Sequence, residues 1–211
     1  MTAPIKPRRG RPKSQPDTTR REAIARRAAE MFASQGYAGT TTEDVAAACG
    51  ISKQTLYRLF PSKTALFASV VDHHRQEMLD FGNTDGLDDA TALERIFRAD
   101  IAPEADFART RLVRVVVAEI ADHPELGELM MRHGGDKARA ELGAWLAARD
   151  LLGPGGVEPE MQADILLNMI FGAVLAKEMG ELSWPGGDRR RIYMRQCIRV
   201  FLQGARDGSA R

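Results

Sequence analysis

The sequence predicts an all-α protein in which a small three-helix head precedes a larger helical body, with about nine helices in all. Three observations indicate this class. Apolar residues recur with helical spacing in each long segment. No segment alternates apolar and polar residues as a half-buried strand does. Turns that contain glycine or proline divide the chain into pieces of helical length.

The head is predicted over residues 17–63, after a disordered basic arm over residues 1–16. Its first helix begins near Asp17, with Asp17 or Thr18 as the cap, and ends at Gly36. Four apolar residues share one face of this helix: Ile24, Ala28, Met31 and Phe32.

The second helix of the head is short and has two possible starting registers. Capping-box spacing pairs either Thr40 with Glu43 or Thr41 with Asp44, and Gly50 ends the helix. Its expected apolar face comprises Val45, Ala48 and Cys49.

The third helix begins at a Ser52 cap, turns Leu56 and Phe60 inward, and ends before Pro61. Ser62 then caps a fourth helix. The two short helices on either side of the glycine turn have the lengths and spacing of a helix-turn-helix.

The body is predicted over residues 64–211 and contains only helices. The fourth helix runs to about Leu79, and a polar break over residues 82–89 follows it. Later helices are expected over residues 88–101, 105–121, 124–150 (with an interruption at Gly134 and Gly135 left open), 159–180 and 188–205. The longest apolar run, 165–176, is too short to span a bilayer, so no membrane partner is expected.

Charge is divided unevenly between head and body. Residues 1–63 hold 12 Lys and Arg against 5 Asp and Glu, a net charge of +7, whereas the remainder holds 18 against 24, a net charge of −6. The arm segment PRRGRPK, residues 7–13, contributes four of the cations. A basic head on an acidic body favours a polyanionic partner for the head alone.

The helix-turn-helix suits double-stranded DNA, because a major groove about 12 Å wide admits one helix and the second helix presents its N-terminal side chains to base edges. The residues placed for base edges are Lys53, Gln54 and Thr55. Tyr57 and Arg58 lie one turn later and suit a phosphate, a thymine methyl or a flanking base. Lys63 combines a cation with the amides of a helix start, which predicts a phosphate contact.

These motifs resemble the DNA-binding head of the tetracycline-repressor (TetR) family of bacterial regulators. The matching pattern, over residues 36–66, is G-Y-x-x-T-T followed by A-x-x-x-G-I-S-x-x-T-L-Y-x-x-F-x-S-K-x-x-L. The resemblance implies a homodimer on a palindromic operator and a body that binds a small effector. It also implies that phosphates contact Thr41 or Thr42, Tyr57 and Lys63.

Two further features bear on this resemblance. Leu59 stands where the family often has His or Tyr, so one phosphate contact is expected to be missing. The segment AEIADHPEL, residues 118–126, favours a body of the AefR-like branch.

The arm contains an AT-hook-like core, RGRP, over residues 9–12. Arg9 and Arg11 would enter an A·T-rich minor groove, where the negative potential is concentrated, and Gly10 allows close approach to the groove floor. The alternative is a tail that adds only non-specific attraction to DNA.

The body carries two candidate surfaces. A largely apolar effector pocket is predicted to be lined by Phe97, Phe107, Val113, Val116, Met130, Met131, Trp145 and Phe171. A dimer interface built from the last two helices is predicted to include Gly172, Ala176, Met194, Ile198, Phe201 and Leu202. The alternative for the second set is that it forms only the chain's own core.

Metal and enzyme chemistry are not expected. His73 and His74 precede Glu77, and Glu119 precedes His123, but neither set supplies a third ligand or a zinc-protease spacing. No cofactor motif is present, and two distant cysteines favour a reducing compartment.

The predicted function is a dimeric, DNA-binding transcriptional repressor that an effector releases, in the cytoplasm and associated with the bacterial nucleoid. Two alternatives are an activator or architectural protein without an effector, and, more remotely, a helical enzyme or metalloprotein.

Overall fold

The computed structural model describes residues 16–153, 157–175 and 187–206. These parts contain ten α-helices and no strand: α1 (Asp17–Gln35), α2 (Thr42–Ala48), α3 (Lys53–Leu59), α4 (Lys63–Met78), α5 (Asp89–Ile96), α6 (Pro103–Glu119), α7 (Pro124–Met130), α8 (Asp136–Ala148), α9 (Pro159–Leu175) and α10 (Gly187–Arg206). A π-helical turn, Met131–Gly135, joins α7 and α8 into one continuous helical segment. With these two counted as one, the described chain has nine helical segments, and the all-α prediction with about nine helices is confirmed.

The start of α1 differs from the prediction. Pro16 occupies the cap position without any side-chain hydrogen bond, and Asp17 lies inside the first turn. Pro16 has a φ of −49° at the cap position. The Asp17 side chain does not cap the helix, because it contacts Arg58 on α3. The end of the helix is as predicted, because Gly36 adopts a φ of +79°, a left-handed value that glycine tolerates.

The caps of the next three helices follow the sequence closely. Of the two registers left open for α2, the structure selects Thr41 with Asp44, and each side chain hydrogen-bonds the other residue's backbone N–H. Ser52 and Ser62 each accept a backbone N–H from the first turn of α3 and α4. Gly50, with a φ of +63°, makes the tight turn between α2 and α3.

A head core unites the first four helices with part of the body. Its large buried side chains include Ile24, Phe32, Tyr37, Val45, Leu56, Phe60, Leu66, Phe67 and Val70. Leu112 and Val116 of α6 and Leu126 of α7 pack into the same core. On α2 the inward residue is Ala46 rather than Ala48, which is exposed. The shared core means that apolar packing holds α6 and α7 against the head.

A separate body core lies among α5, α8, α9 and α10. Its buried members include Leu93, Ile96, Phe97, Leu142, Leu146, Leu166 and Ile170. Four residues predicted for a dimer face belong to it as well: Met194, Ile198, Phe201 and Leu202. The regular apolar face of α10 is therefore covered by the chain itself. Gly172 of the same predicted set is partly exposed on α9, and the dimer interface stays a prediction. Ala176 lies outside the described residues.

The break after α4 falls where the sequence places it, between Leu79 and the Asp88 cap of α5. None of the described helices is long and apolar enough to cross a membrane.

Candidate nucleic-acid interface

Helix α3 presents a polar face to solvent because its apolar residues are turned the other way. Leu56 and Leu59 are buried in the head core, whereas Lys53, Gln54 and Tyr57 are exposed. The exposed Tyr57 ring stands out, since large aromatic side chains usually contribute to cores. The outward face is thus available for contact with another molecule.

The three residues predicted for base edges have different surroundings. The Lys53 ammonium lies 2.8 Å from the Glu43 carboxylate, and its hydrogen bond lowers the pKa of Glu43. Thr55 is half-buried, and its hydroxyl lies 2.9 Å from that of the Ser52 cap. The Gln54 side chain is exposed and makes no hydrogen bond to the rest of the described chain. Its amide offers a donor and an acceptor to a base edge.

Tyr57 ties α3 to α2. Its phenol oxygen lies 2.9 Å from the Thr42 hydroxyl, which is buried. Thr41 is exposed, and its hydroxyl hydrogen-bonds the Asp44 carboxylate. Of the two threonines proposed for phosphate contact, Thr41 is therefore the one that solvent reaches.

Arg58 forms a bidentate pair with Asp17 at the start of α1. The two guanidinium nitrogens lie 2.7 and 3.0 Å from the carboxylate oxygens, and these hydrogen bonds hold the pKa of Asp17 below its usual range. Both side chains are more than half exposed, so the pair stabilises the fold only slightly. Its effect is to fix the guanidinium beside the point where the arm joins the head.

Lys63 is the first residue of α4, a helix of 16 residues. Its ammonium lies 4.2 Å from the centre of the Tyr37 ring, and partial burial lowers its pKa. A cation at the positive end of a long helix favours an anion such as a phosphate. Arg9 and Arg11 lie outside the described residues.

A carboxylate of the body contacts the backbone of the head beside this surface. Glu119, near the end of α6, accepts the backbone N–H groups of Tyr37 and Ala38, both at 2.8 Å. Any side chain at Gly36 would collide with it, because a Cβ there would lie 2.4 Å from the Glu119 Oε1. Glu119 and His123, whose spacing puts them on one helix face, do not converge on a metal site: the Glu119 carboxylate contacts the head, and the His123 ring lies against the Tyr37 ring.

The other candidate ligands, His73 and His74, face Glu77 at 3.4 and 3.9 Å. Within the described parts of the chain, no three His, Cys, Asp or Glu residues are arranged to hold a metal ion.

The eight residues predicted for an effector pocket divide among three places. Two lie in or against the head core: Val116 and Met130. Three lie in or against the body core: Phe97, Trp145 and Phe171. Three are partly or largely exposed: Val113, Phe107 and Met131. In the described part of the chain, these eight residues therefore do not line a single pocket.

Two protein-family models match the chain. Residues 24–70 match the model described as bacterial regulatory proteins, tetR family. Residues 91–204, more than half of the chain, match the model described as the C-terminal domain of AefR-like transcriptional repressors.

Relatives with similar sequences include a transcriptional regulator and a nucleoid occlusion factor. The chain is 30% identical over 112 residues to the HTH-type transcriptional regulator RutR of Escherichia coli K12, covering 53% of this chain and 46% of RutR. It is 31% identical over 116 residues to the nucleoid occlusion factor SlmA of Serratia proteamaculans, covering 54% and 52%. The matched region thus spans about half the length of these curated relatives.

Solved structures with this architecture include a TetR-family transcriptional regulator from Mesorhizobium loti MAFF303099, with a TM-score of 0.65 and 24% identity, covering 90% of this chain and 98% of that one. The flavonoid-responsive regulator FrrA has a TM-score of 0.55 and 26% identity, covering 88% and 96%. The first likeness establishes the fold.

Proposed function

The chain belongs to the TetR family of bacterial regulatory proteins, and we propose that it is a homodimeric repressor. In this proposal a small, largely apolar effector releases the dimer from a palindromic operator. DNA-binding transcriptional regulation follows from the family, which is one of regulators and not of enzymes. The outward face of α3 supports this proposal, because the Gln54 side chain is free to contact a base edge and three residues around it can anchor the helix: Lys53, Tyr57 and Arg58.

The proposed dimer surface is an outward stripe on α9 and α10. On α9 it comprises Met161, Ile165, Asn168 and Gly172, and on α10 it comprises Gln196, Val200 and Gly204. The two helices lie side by side, since the Tyr193 hydroxyl of α10 donates to the Met169 carbonyl of α9 at 2.6 Å. A Cβ at either glycine of the stripe would meet nothing within 4 Å, which leaves room for a second copy to approach closely.

Introducing a charge on this stripe tests the proposed dimer interface. Ile165→Glu should make the chain monomeric in sedimentation equilibrium, because the carboxylate would lose its water at the dimer axis. Met131→Glu is the matched control: Met131 is 53% exposed and Ile165 45%, but Met131 lies away from the stripe. An Ile165→Glu chain as dimeric as the control would contradict this surface.

The dimer would place two copies of α3 about one helical repeat apart, roughly 34–36 Å, so that both enter the major groove of one DNA face. An effector that favours another spacing releases DNA by its differential affinity, typically worth about 1–3 kcal/mol. The head core that α6 shares with α1 and α4 supports such coupling. The likeness to the flavonoid-responsive regulator FrrA supports a small-molecule effector.

The arm is proposed to read an A·T-rich minor groove beside the operator through Arg9 and Arg11. Because the operator is part of the bacterial nucleoid, we also propose that the protein acts on the nucleoid, in the cytoplasm. Deleting residues 1–13 should weaken binding more on duplexes with A·T flanks than on duplexes with G·C flanks, as measured by fluorescence anisotropy. An equal loss on both would leave only non-specific attraction by the arm.

A further inference from the structure

An open cleft of about 510 Å³ lies where the head meets the body, between α1, α4 and α6. Its apolar lining includes Ala29 and Ala33 of α1 and Phe107 and Leu112 of α6. Phe107 is 60% exposed, an unusually large fraction for a phenylalanine, and the Arg114 guanidinium lies 5.2 Å from the centre of its ring. The volume falls within the usual range for small-molecule sites.

The charged lining of the cleft has an excess of cations, with four arginines against two glutamates. The glutamates are occupied: Glu30 pairs with Arg27, and Glu77 faces His73. Two of the arginines also have acidic partners, Asp80 and Asp106.

Arg26 and Arg111 make no ion pair with any described residue. Arg26 belongs to α1 and Arg111 to α6, so one of these guanidinium groups is on the head and the other on the body. An anion in the cleft would offset both charges.

A buried imidazole adds a polar group to the wall. His74 is largely buried, and its Nε2 atom makes no hydrogen bond. An unpartnered buried polar atom costs free energy, which a ligand that hydrogen-bonds it would recover.

We infer that this cleft binds an organic acid, a carboxylate on an apolar body, through Arg26 of the head and Arg111 of the body. The apolar part lies against Phe107 and Leu112. A ligand that contacts both the head and the body stabilises one relative position of the two over others. It therefore shifts the spacing of the α3 helices, and this consequence for DNA rests on the proposed function.

The probe for this site is 2-naphthoate, with uncharged 2-naphthamide as its isostere, titrated calorimetrically into the full chain. Naphthoate is expected to bind with one site per chain. Arg26→Gln and Arg111→Gln should each weaken it at least about tenfold, the effect of losing one charge-assisted contact. Arg132→Gln, which removes an exposed arginine outside the cleft, should leave the affinity unchanged. The amide should bind at least about tenfold more weakly than the acid.

Equal naphthoate affinity in the Arg26→Gln, Arg111→Gln and Arg132→Gln chains would overturn the inference. So would the failure of 2-naphthoate, decanoate and phenylacetate alike to bind the unaltered chain at millimolar concentration. Operator binding is measured separately without any acid. A chain that binds naphthoate through both arginines but binds no DNA supports the site and contradicts the proposed function.

Discussion

At the residue scale, most polar groups on the outward face of α3 are already engaged within the chain. Lys53 contacts Glu43, Arg58 contacts Asp17, and the Tyr57 hydroxyl contacts Thr42. The two ion pairs are exposed and cost little to break, so phosphates can replace their carboxylates when DNA binds. Gln54 has no such partner to give up, which makes it the residue from which we expect direct base discrimination.

The buried His74 imidazole makes stability depend on pH. Burial lowers its pKa from 6.5 to about 4, so the folded chain keeps it neutral where the unfolded chain takes up a proton. Stability is fully present above about pH 6.5 and falls as the pH decreases toward 4, by at most roughly 3 kcal/mol from this group.

Urea unfolding at pH 7.5, 5.5 and 4.5 measures this dependence. His74→Gln should flatten the decline in the free energy of unfolding over that range, because its amide does not titrate. A decline as steep as that of the unaltered chain would show that another group is responsible.

At the element scale, α6 is joined to the head by packing and by one carboxylate. Leu112 and Val116 pack into the head core, and Glu119 accepts two backbone N–H groups from the turn after α1. The positive φ at this turn favours Gly36, and a side chain there would have to displace the Glu119 carboxylate. The position of α6 is thereby transmitted to the turn that leads into α2.

Glu119→Ala should lower the free energy of unfolding by about 1–3 kcal/mol, since two backbone donors lose a charged acceptor. Chemical denaturation measures the loss, and Glu128→Ala, which removes an exposed carboxylate from α7, is the control. If both variants unfold at the same denaturant concentration, Glu119 does not hold the head to the body.

At the scale of the whole molecule, the features that the sequence predicts correctly are those set by residues close together in the chain. The caps at Ser52 and Ser62, the end of α1 at Gly36 and the break after α4 all arise from interactions within a few residues, and all are confirmed. The division into residues 17–63 and 64–211 stays a prediction.

Contacts between distant parts of the chain could not be predicted in this way. The apolar period of α10 is genuine, but periodicity does not say which surface covers it, and α5 and α9 of the same chain do so. Arg58 and Asp17 are separated by 41 residues, and no local spacing relates them. The cleft and the Glu119 bridge likewise exist only once α6 has packed on α1.

We expect the outward face of α3 to bind DNA in a sequence-specific way. The most direct test is a footprint and an anisotropy titration on duplexes selected from a random pool by the purified chain. The chain should protect a palindrome and keep binding it in excess non-specific competitor.

Changing Lys53, Gln54 and Tyr57 together to alanine should weaken that binding at least about a hundredfold while circular dichroism shows an unaltered helical fold. A folded triple variant that protects the same palindrome as tightly as the unaltered chain would show that this face of α3 does not recognise the DNA.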